Sequence, residues 1–364
     1  MDYKSFFDIP KDITYLNTPG NGLLPKKHHE WRRQYESIFF DSASDLRDQQ
    51  PQFISKVKDA FGKLFNCPSE RVYALPNFSF GLHSLLSGLP TGSKIVVLEG
   101  DYPSLNYPVK SRGFDFFSVK IDENLEANIY ETIKQTKADV LMLSVVQYIS
   151  GLKIDLSFIK QLKSDFPSLL IIGDATQFLG TEPFDFELSG FDAIGGSGYK
   201  WMMAGFGNGY LMLSAQMCAN LFRKAREIER PTEAMWANKS ILDTFFEPGH
   251  QDTLAHGTLL QSIYFLETLG LDSIGSYLKE LTDYAYDKFA ERNWLLPEIL
   301  NRDICSALIN VQIDKNLYPY LLENGIKCFP RGTGIRIGLH IYNTKEDIDK
   351  FVETVERKIN IHAV

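Results

Sequence analysis

The feature that most constrains this chain is a run of short apolar segments alternating with helical ones through its first two thirds. "SKIVVLEG", "DVLMLSVVQ" and "SLLIIGDAT" are nearly continuous in aliphatic residues. A strand wet on one face would instead alternate apolar with polar residues. The stretches between them, "FSFGLHSLLSGL", "NLEANIYETIKQT" and "LSFIKQLKSDF", carry apolar residues at helical spacing. "RVYALP", "FDFFSVKI", "FDAIGGSG" and "GYLMLS" read as further strands. The pattern predicts an α/β fold, three layers deep, with a mostly parallel sheet covered by helices on both faces.

The flanks read differently. Up to Pro25 the chain is rich in Pro, Gly and Asn, as in "LNTPGNGLLP", and two helical patterns follow, Lys26 to Asp41 and Gln52 to Phe65. "YPSLNYPVKSRG" reads as a connection between strands, and Thr258 to Ala290 as one long helical stretch. The C-terminal part reads as a small α/β unit: "CSALINVQI", helix "LYPYLLENG", strand "IKCFP", strand "GIRIGLHI" and a last helix capped at Thr344. The expected division is an N-terminal segment, 1–25, a large domain, 26–255, and a small C-terminal domain, 256–364.

Charge and cysteine usage exclude several classes. Lys and Arg number 38 against 46 Asp and Glu, a formal net charge of -8, and no basic run occurs. A nucleic-acid or anionic-membrane partner is therefore not expected. No apolar run approaches the ~18 residues of a membrane span. The start, "MDYKSFFDIPKDITYLN", lacks the pattern of a secretory signal, so a cytoplasmic location is expected. Cys67, Cys218, Cys305 and Cys328 are far apart and read as free thiols. Neither they nor the scattered histidines have the spacing of a metal site.

Open α/β sheets bind ligands beyond the carboxyl ends of their strands. The strand "SLLIIGD" ends in Asp174, and Lys200 follows a later strand within "GGSGYKWMMAGFGNG", with no second charge nearby. A carboxylate at the edge of the core is costly unless paired. One reading is a salt bridge closing the top of the sheet. The other is a site for pyridoxal 5′-phosphate (PLP), in which a lysine forms a Schiff base and an aspartate faces the pyridine nitrogen. "LPNFSFG" places Phe78 and Ser79 at a helix start, where unpaired N–H groups suit a phosphate. Ser197 could add a donor, and Tyr102, at another strand end, could stack on a flat ring.

These segments together resemble the class V aminotransferase family of fold type I PLP enzymes, which includes cysteine desulfurases, kynureninases and isopenicillin-N epimerase-like proteins. "SGYKW" is similar to the family's S-G-H-K segment, which implies that Lys200 is the catalytic Schiff-base lysine. "GDATQ" resembles D-x-x-Q, with Asp174 on the pyridine nitrogen and Gln177 near the ring hydroxyl. "NFSFG" matches the phosphate-binding turn, with Ser79 and the Phe78 backbone on phosphate, joined by Ser197 and Tyr199. Tyr102 falls where the family stacks a His or Phe on the ring. "IRIGLHIYNTKEDID" resembles the ending whose arginine, here Arg336, binds the substrate carboxylate. "YLNTPGNGLLP", with Asn21, resembles the segment lining the substrate pocket. The resemblance also implies a homodimer with active sites at the subunit interface.

The sequence departs from the family's pattern at four places. Tyr199 replaces the histidine beside the lysine, and Tyr148, after Gln147, replaces a ring-facing asparagine of desulfurases. His250 stands for the threonine that reaches a neighbouring subunit's phosphate. No cysteine occupies a loop ahead of Arg336; Cys328 reads as a core thiol on a strand. Arg331 is a second candidate for an acidic substrate side chain. The resemblance thus implies an enzyme acting on an L-amino acid, and transamination is preferred because no nucleophilic cysteine is evident. A kynureninase-like or desulfurase-like lyase, or an epimerase, is the alternative.

Overall fold

The computed structural model describes residues 2–41, 45–233, 236 and 239–362. The N-terminal segment carries a two-residue strand, β1 (Thr14–Tyr15), followed by helices α1 (Lys26–Asp41) and α2 (Asp45–Phe65). The alternation then begins: β2 (Val72–Leu75), α3 (Phe78–Gly88), β3 (Lys94–Leu98), α4 (Pro103–Ser111), β4 (Asp115–Val119) and α5 (Leu125–Thr136). It continues with β5 (Val140–Ser144), α6 (Leu156–Asp165), β6 (Leu170–Asp174), β7 (Ala193–Ser197), β8 (Gly209–Leu213) and α7 (Ala215–Asn220).

These strands form one seven-stranded sheet in the order β2-β8-β7-β6-β5-β3-β4, and only β8 runs against the others. The continuous apolar runs are explained by the two layers that cover it. On β5, Leu141 and Leu143 join one hydrophobic cluster with Phe61 of α2 and Ile129 of α5. Val140 and Met142, pointing the other way, join a second with Leu82 of α3 and Val109 of α4. Strand side chains alternate between faces, so both must be apolar when both are covered.

A third cluster builds the C-terminal unit around β9 (Leu308–Val311), β10 (Ile326–Lys327), β11 (Phe329–Arg331) and β12 (Gly334–Gly338). β11, β12 and β9 make an antiparallel sheet, while β10 pairs in parallel with β1. The helix Lys345–His362 packs on this core. Among the described residues, no helix is long and apolar enough to cross a membrane.

Four local expectations are corrected. α2 starts at Asp45, not Gln52, and runs through Pro51. A helical proline costs about 3 kcal/mol, but α2 buries Ile54, Val57, Phe61 and Phe65, each contributing roughly 1.5–3 kcal/mol. "YPSLNYPVK" is not an open connection but α4, with Pro103 at the helix start, where its missing N–H is not needed. The stretch to Ala290 is two helices, Thr253–Leu269 and Leu271–Ala290, broken at Gly270, whose φ is 79°. "IKCFP" is not one strand: Cys328 lies between β10 and β11, which belong to different sheets.

Candidate active site

Because β2, β3, β5, β6 and β7 are parallel, their carboxyl ends share one edge of the sheet. That edge opens a small cleft. Nine of the twelve expected site residues line it: Phe78, Ser79, Tyr102, Tyr148, Asp174, Gln177, Ser197, Tyr199 and Lys200. They come from five separated segments, which the parallel arrangement brings together.

Lys200 follows β7 in a turn closed by the Met203 N–H donating to the Lys200 carbonyl at 3.0 Å. Gly22 of the N-terminal segment packs on this turn, donating its N–H to the Tyr199 carbonyl at 2.8 Å. A Cβ on Gly22 would come within 2.0 Å of the Lys200 carbonyl oxygen, so no other residue fits there. Burial pushes the Lys200 amine down to about 8; Asp174 opposes this, while Arg336 and Arg331 reinforce it. Asp174 ends β6, 8% exposed, and its Oδ1 accepts from the Thr176 N–H at 2.8 Å. Burial pushes its carboxyl up to about 6 against that bond and the pull of Lys200. Among the described residues, neither group has an opposite charge within 4 Å, so the two do not form the salt bridge that would close the sheet.

The α3 N-terminus faces them. Asn77 caps it, accepting from the Phe80 N–H at 2.9 Å, and the Phe78 N–H donates to Ser197 Oγ at 3.0 Å. Ser79 lines the cleft from the second helical position. The Phe78 N–H expected on a phosphate is therefore already taken by Ser197, and the anion-binding character of this end rests on the Ser79 position and the positive end of the helix dipole. Tyr102 and Tyr148 meet edge to face at the mouth, ring centroids 5.1 Å apart. Tyr199 stacks on Phe206 at 4.9 Å, with the Lys200 amine 5.5 Å from its ring centre.

Arg336, on β12, is 5% exposed and donates to the Tyr148 carbonyl at 2.7 Å. Its Nε is buried without a partner, and burial, then the nearby Arg331, pushes its guanidinium down to about 10. One edge of the guanidinium fork is thus unused. Asn21 accepts the Tyr15 hydroxyl on its backbone carbonyl at 2.7 Å, and its side-chain Oδ1 is buried without a partner. Gln177 is more engaged than expected: Oε1 accepts the Trp201 indole N–H at 2.7 Å and Nε2 donates to the Pro19 carbonyl at 3.1 Å. His250 stands apart, exposed, its Nδ1 3.1 Å from Gln50 Oε1 on α2.

Three cleft residues were not foreseen: Ser144, Val146 and Thr176. Thr176 Oγ1 accepts the Ser197 N–H at 3.2 Å and so ties β6 to β7. Ser144 donates its hydroxyl to the buried Asp101 at 2.6 Å, whose carboxyl also accepts the Tyr102 N–H at 2.7 Å. Ser144 ends β5, and Val146 and Thr176 follow β5 and β6 beside the named Gln147 and Gln177, so strand-end position was the signal available. Gln147 takes the plainer of its two roles: its Oε1 accepts the N–H groups of Ile149 and Ser150 at 2.6 and 2.7 Å and shapes the turn.

Comparison with known proteins is consistent with this architecture. The chain is 22% identical over 308 residues, 83% of each chain, to an uncharacterized aminotransferase, YcbU, of Bacillus subtilis. It is 25% identical over 142 residues, 34% of each chain, to a probable cysteine desulfurase of Staphylococcus epidermidis. The apo structure of a cysteine desulfurase from Thermococcus onnurineus superposes with a TM-score of 0.84 at 17% identity, covering 99% of this chain and 98% of that one. This likeness shows the fold, that of type I PLP enzymes. The model of the family described as aminotransferase class-V matches residues 26–351, and the chain belongs to that family.

Proposed function

We propose that this chain is a PLP-dependent aminotransferase acting on an L-amino acid. The observation that carries the reading is a buried carboxylate, Asp174, with no cation within 4 Å among the described residues, sharing one cleft with a lysine pushed down to about 8. A buried carboxylate without a partner is costly, and a protonated ring nitrogen is the partner it lacks. The residues present fit the cofactor in kind. Lys200 would hold it through Nζ, Asp174 would face its nitrogen, and the α3 N-terminus with Ser79 and Ser197 would take its phosphate. Tyr102 would cover the ring, Tyr199 would add a hydroxyl near the phosphate, and Gln177 keeps one amide hydrogen for the ring hydroxyl. When bound, the group supplies an electron sink for charge developing at the substrate α-carbon.

The chain's own residues do the rest. The free edge of Arg336 donates two parallel hydrogen bonds to a carboxylate and so orients the α-carbon. The amine of Lys200, neutral in a large fraction of molecules near pH 8, removes the α-proton and holds it. The N-terminal segment around Asn21 and the Tyr102–Tyr148 pair narrow the cleft against water. In this reading the active unit is a homodimer, with His250 directed to the neighbouring chain's cofactor phosphate.

The thiols favour transfer over sulfur chemistry. Burial pushes all four upward, Cys67 and Cys328 to about 12, whereas a nucleophilic cysteine needs a lowered value. Cys328, 2% exposed, lies in the C-terminal core.

Loading with PLP and scanning absorbance tests the cofactor: a yellow protein that loses its colour on Lys200→Ala is expected, and a colourless wild type overturns the reading. Incubation with a panel of amino acids and 2-oxo acids tests the reaction. Amino-group transfer is expected; sulfide, alanine or a D-isomer as product would replace transamination by a lyase or an epimerase.

A further inference from the structure

Arg336 is not the only guanidinium on its side of the C-terminal sheet. In the β11–β12 hairpin Phe329 is opposite Arg336 and Arg331 is opposite Gly334. Residues opposite one another, and those two apart, share a face. Phe329, Arg331 and Arg336 therefore project from the same face, and Arg331 lies over the Phe329 ring, 4.9 Å from its centre. Gly334 leaves the place opposite Arg331 without a side chain.

The backbone of Arg331 is fixed to the wall of the cleft. Asn310, 2% exposed, donates from Nδ2 to the Ile149 carbonyl at 3.0 Å and to the Arg331 carbonyl at 2.9 Å. Ile149 follows Tyr148, whose carbonyl holds Arg336. At the hairpin tip Gly332 approaches Ile149 so closely that an added Cβ would lie 2.5 Å from its methyl carbon. One buried asparagine thus sets Arg331, Arg336 and Tyr148 in a common frame.

The electrostatics of this frame are unbalanced. Among the described residues, neither arginine has a carboxylate within 4 Å, although the chain as a whole is acidic. Arg331 is close enough to depress both Arg336 and Lys200. Like charges held together without a counter-ion are unfavourable, and an anion between them relieves the cost. A substrate α-carboxylate satisfies Arg336 alone and leaves Arg331 unmatched.

We propose that Arg331 binds a second acidic group of the substrate, so that the amino acid or 2-oxo acid handled here carries an acidic side chain. This rests on the function proposed above. Arg331 acts as a specificity determinant, exposed on the hairpin face it shares with Arg336, and takes no part in the proton transfer.

Calorimetric titration tests it, with succinate and glutarate against butyrate and valerate, on protein with and without PLP. Wild type is expected to bind the dicarboxylates about tenfold more tightly than the monocarboxylates, the worth of one charge-assisted contact. In Arg331→Gln the preference is expected to fall to within about twofold. A wild type that shows no preference, or a variant that keeps it, overturns the proposal. The absorbance of the loaded protein reports separately on Lys200, so a failure of the cofactor reading is seen as such.

Discussion

Two buried aspartates sit at opposite edges of the same sheet and are treated in opposite ways. Asp192 precedes β7 at the amino edge, 1% exposed. It accepts from Lys163 Nζ at 2.6 Å, from the Ile171 N–H at 2.9 Å and from Ser214 Oγ at 2.8 Å. Asp174 ends β6 at the carboxyl edge with one backbone N–H and no cation within 4 Å among the described residues. The first carboxylate is fully matched by the chain and locks β6, β7, α6 and the start of α7. The second is left for something else to match. A satisfied buried charge serves the fold; an unsatisfied one at a strand's carboxyl end serves a ligand.

Substitutions separate these two roles. Lys200→Ala is expected to reduce cofactor-dependent turnover by about 10³-fold or more, the scale of losing a positioned proton-transfer group, with no loss of thermal stability in the protein without cofactor. The rate of PLP uptake by the wild type is expected to rise with pH and level off above about 8, where the amine is neutral.

Asp192→Asn is expected to cost about 3 kcal/mol in urea unfolding, because the partly buried Lys163 loses its carboxylate and the amide cannot accept all three of the donors that now meet Asp192. Asp174→Asn is expected to do the reverse, stabilising the cofactor-free protein at pH 7 by up to ~3 kcal/mol while weakening cofactor binding. The pH dependence fixes the sign. The folded Asp174 carboxyl titrates near 6 and the unfolded one near 3.8, so the native state holds the extra proton between those values. The difference between variant and wild type should therefore be flat below about pH 4, grow as pH rises to about 6, and stay constant above. A difference that shrinks with rising pH would show that Asp174 has a cation partner after all.

Cys328→Ser should have the smallest effect, about 1–2 kcal/mol for placing a hydroxyl in an apolar core, with turnover unchanged. Lost turnover with retained folding would return the thiol to the chemistry.

Much of the site could be read from the sequence because its residues sit at places the chain marks locally. Asp174 follows an aliphatic run, Lys200 lies in a glycine-rich turn, and Asn77 opens a helix after a strand. Helix limits were less legible. Pro51 and Pro103 suggest interruption, yet burial of the α2 face and the tolerant first turn of α4 outweigh it. The split of "IKCFP" was not legible, because pairing partners for β10 and β11 come from distant segments.

By itself, the sequence determined the doubly covered sheet, since continuous apolar strands can be buried in no other way, and it determined which residue types stand at the strand ends. Only the tertiary structure decided which of those groups stay unpaired. Gln177 is occupied by Trp201 and Pro19, whereas Asp174, the Nε of Arg336 and the guanidinium of Arg331 find no acidic or basic partner among the described residues. Pairing depends on distances between segments far apart in the chain, and those distances are set by the packing of the sheet against its helices.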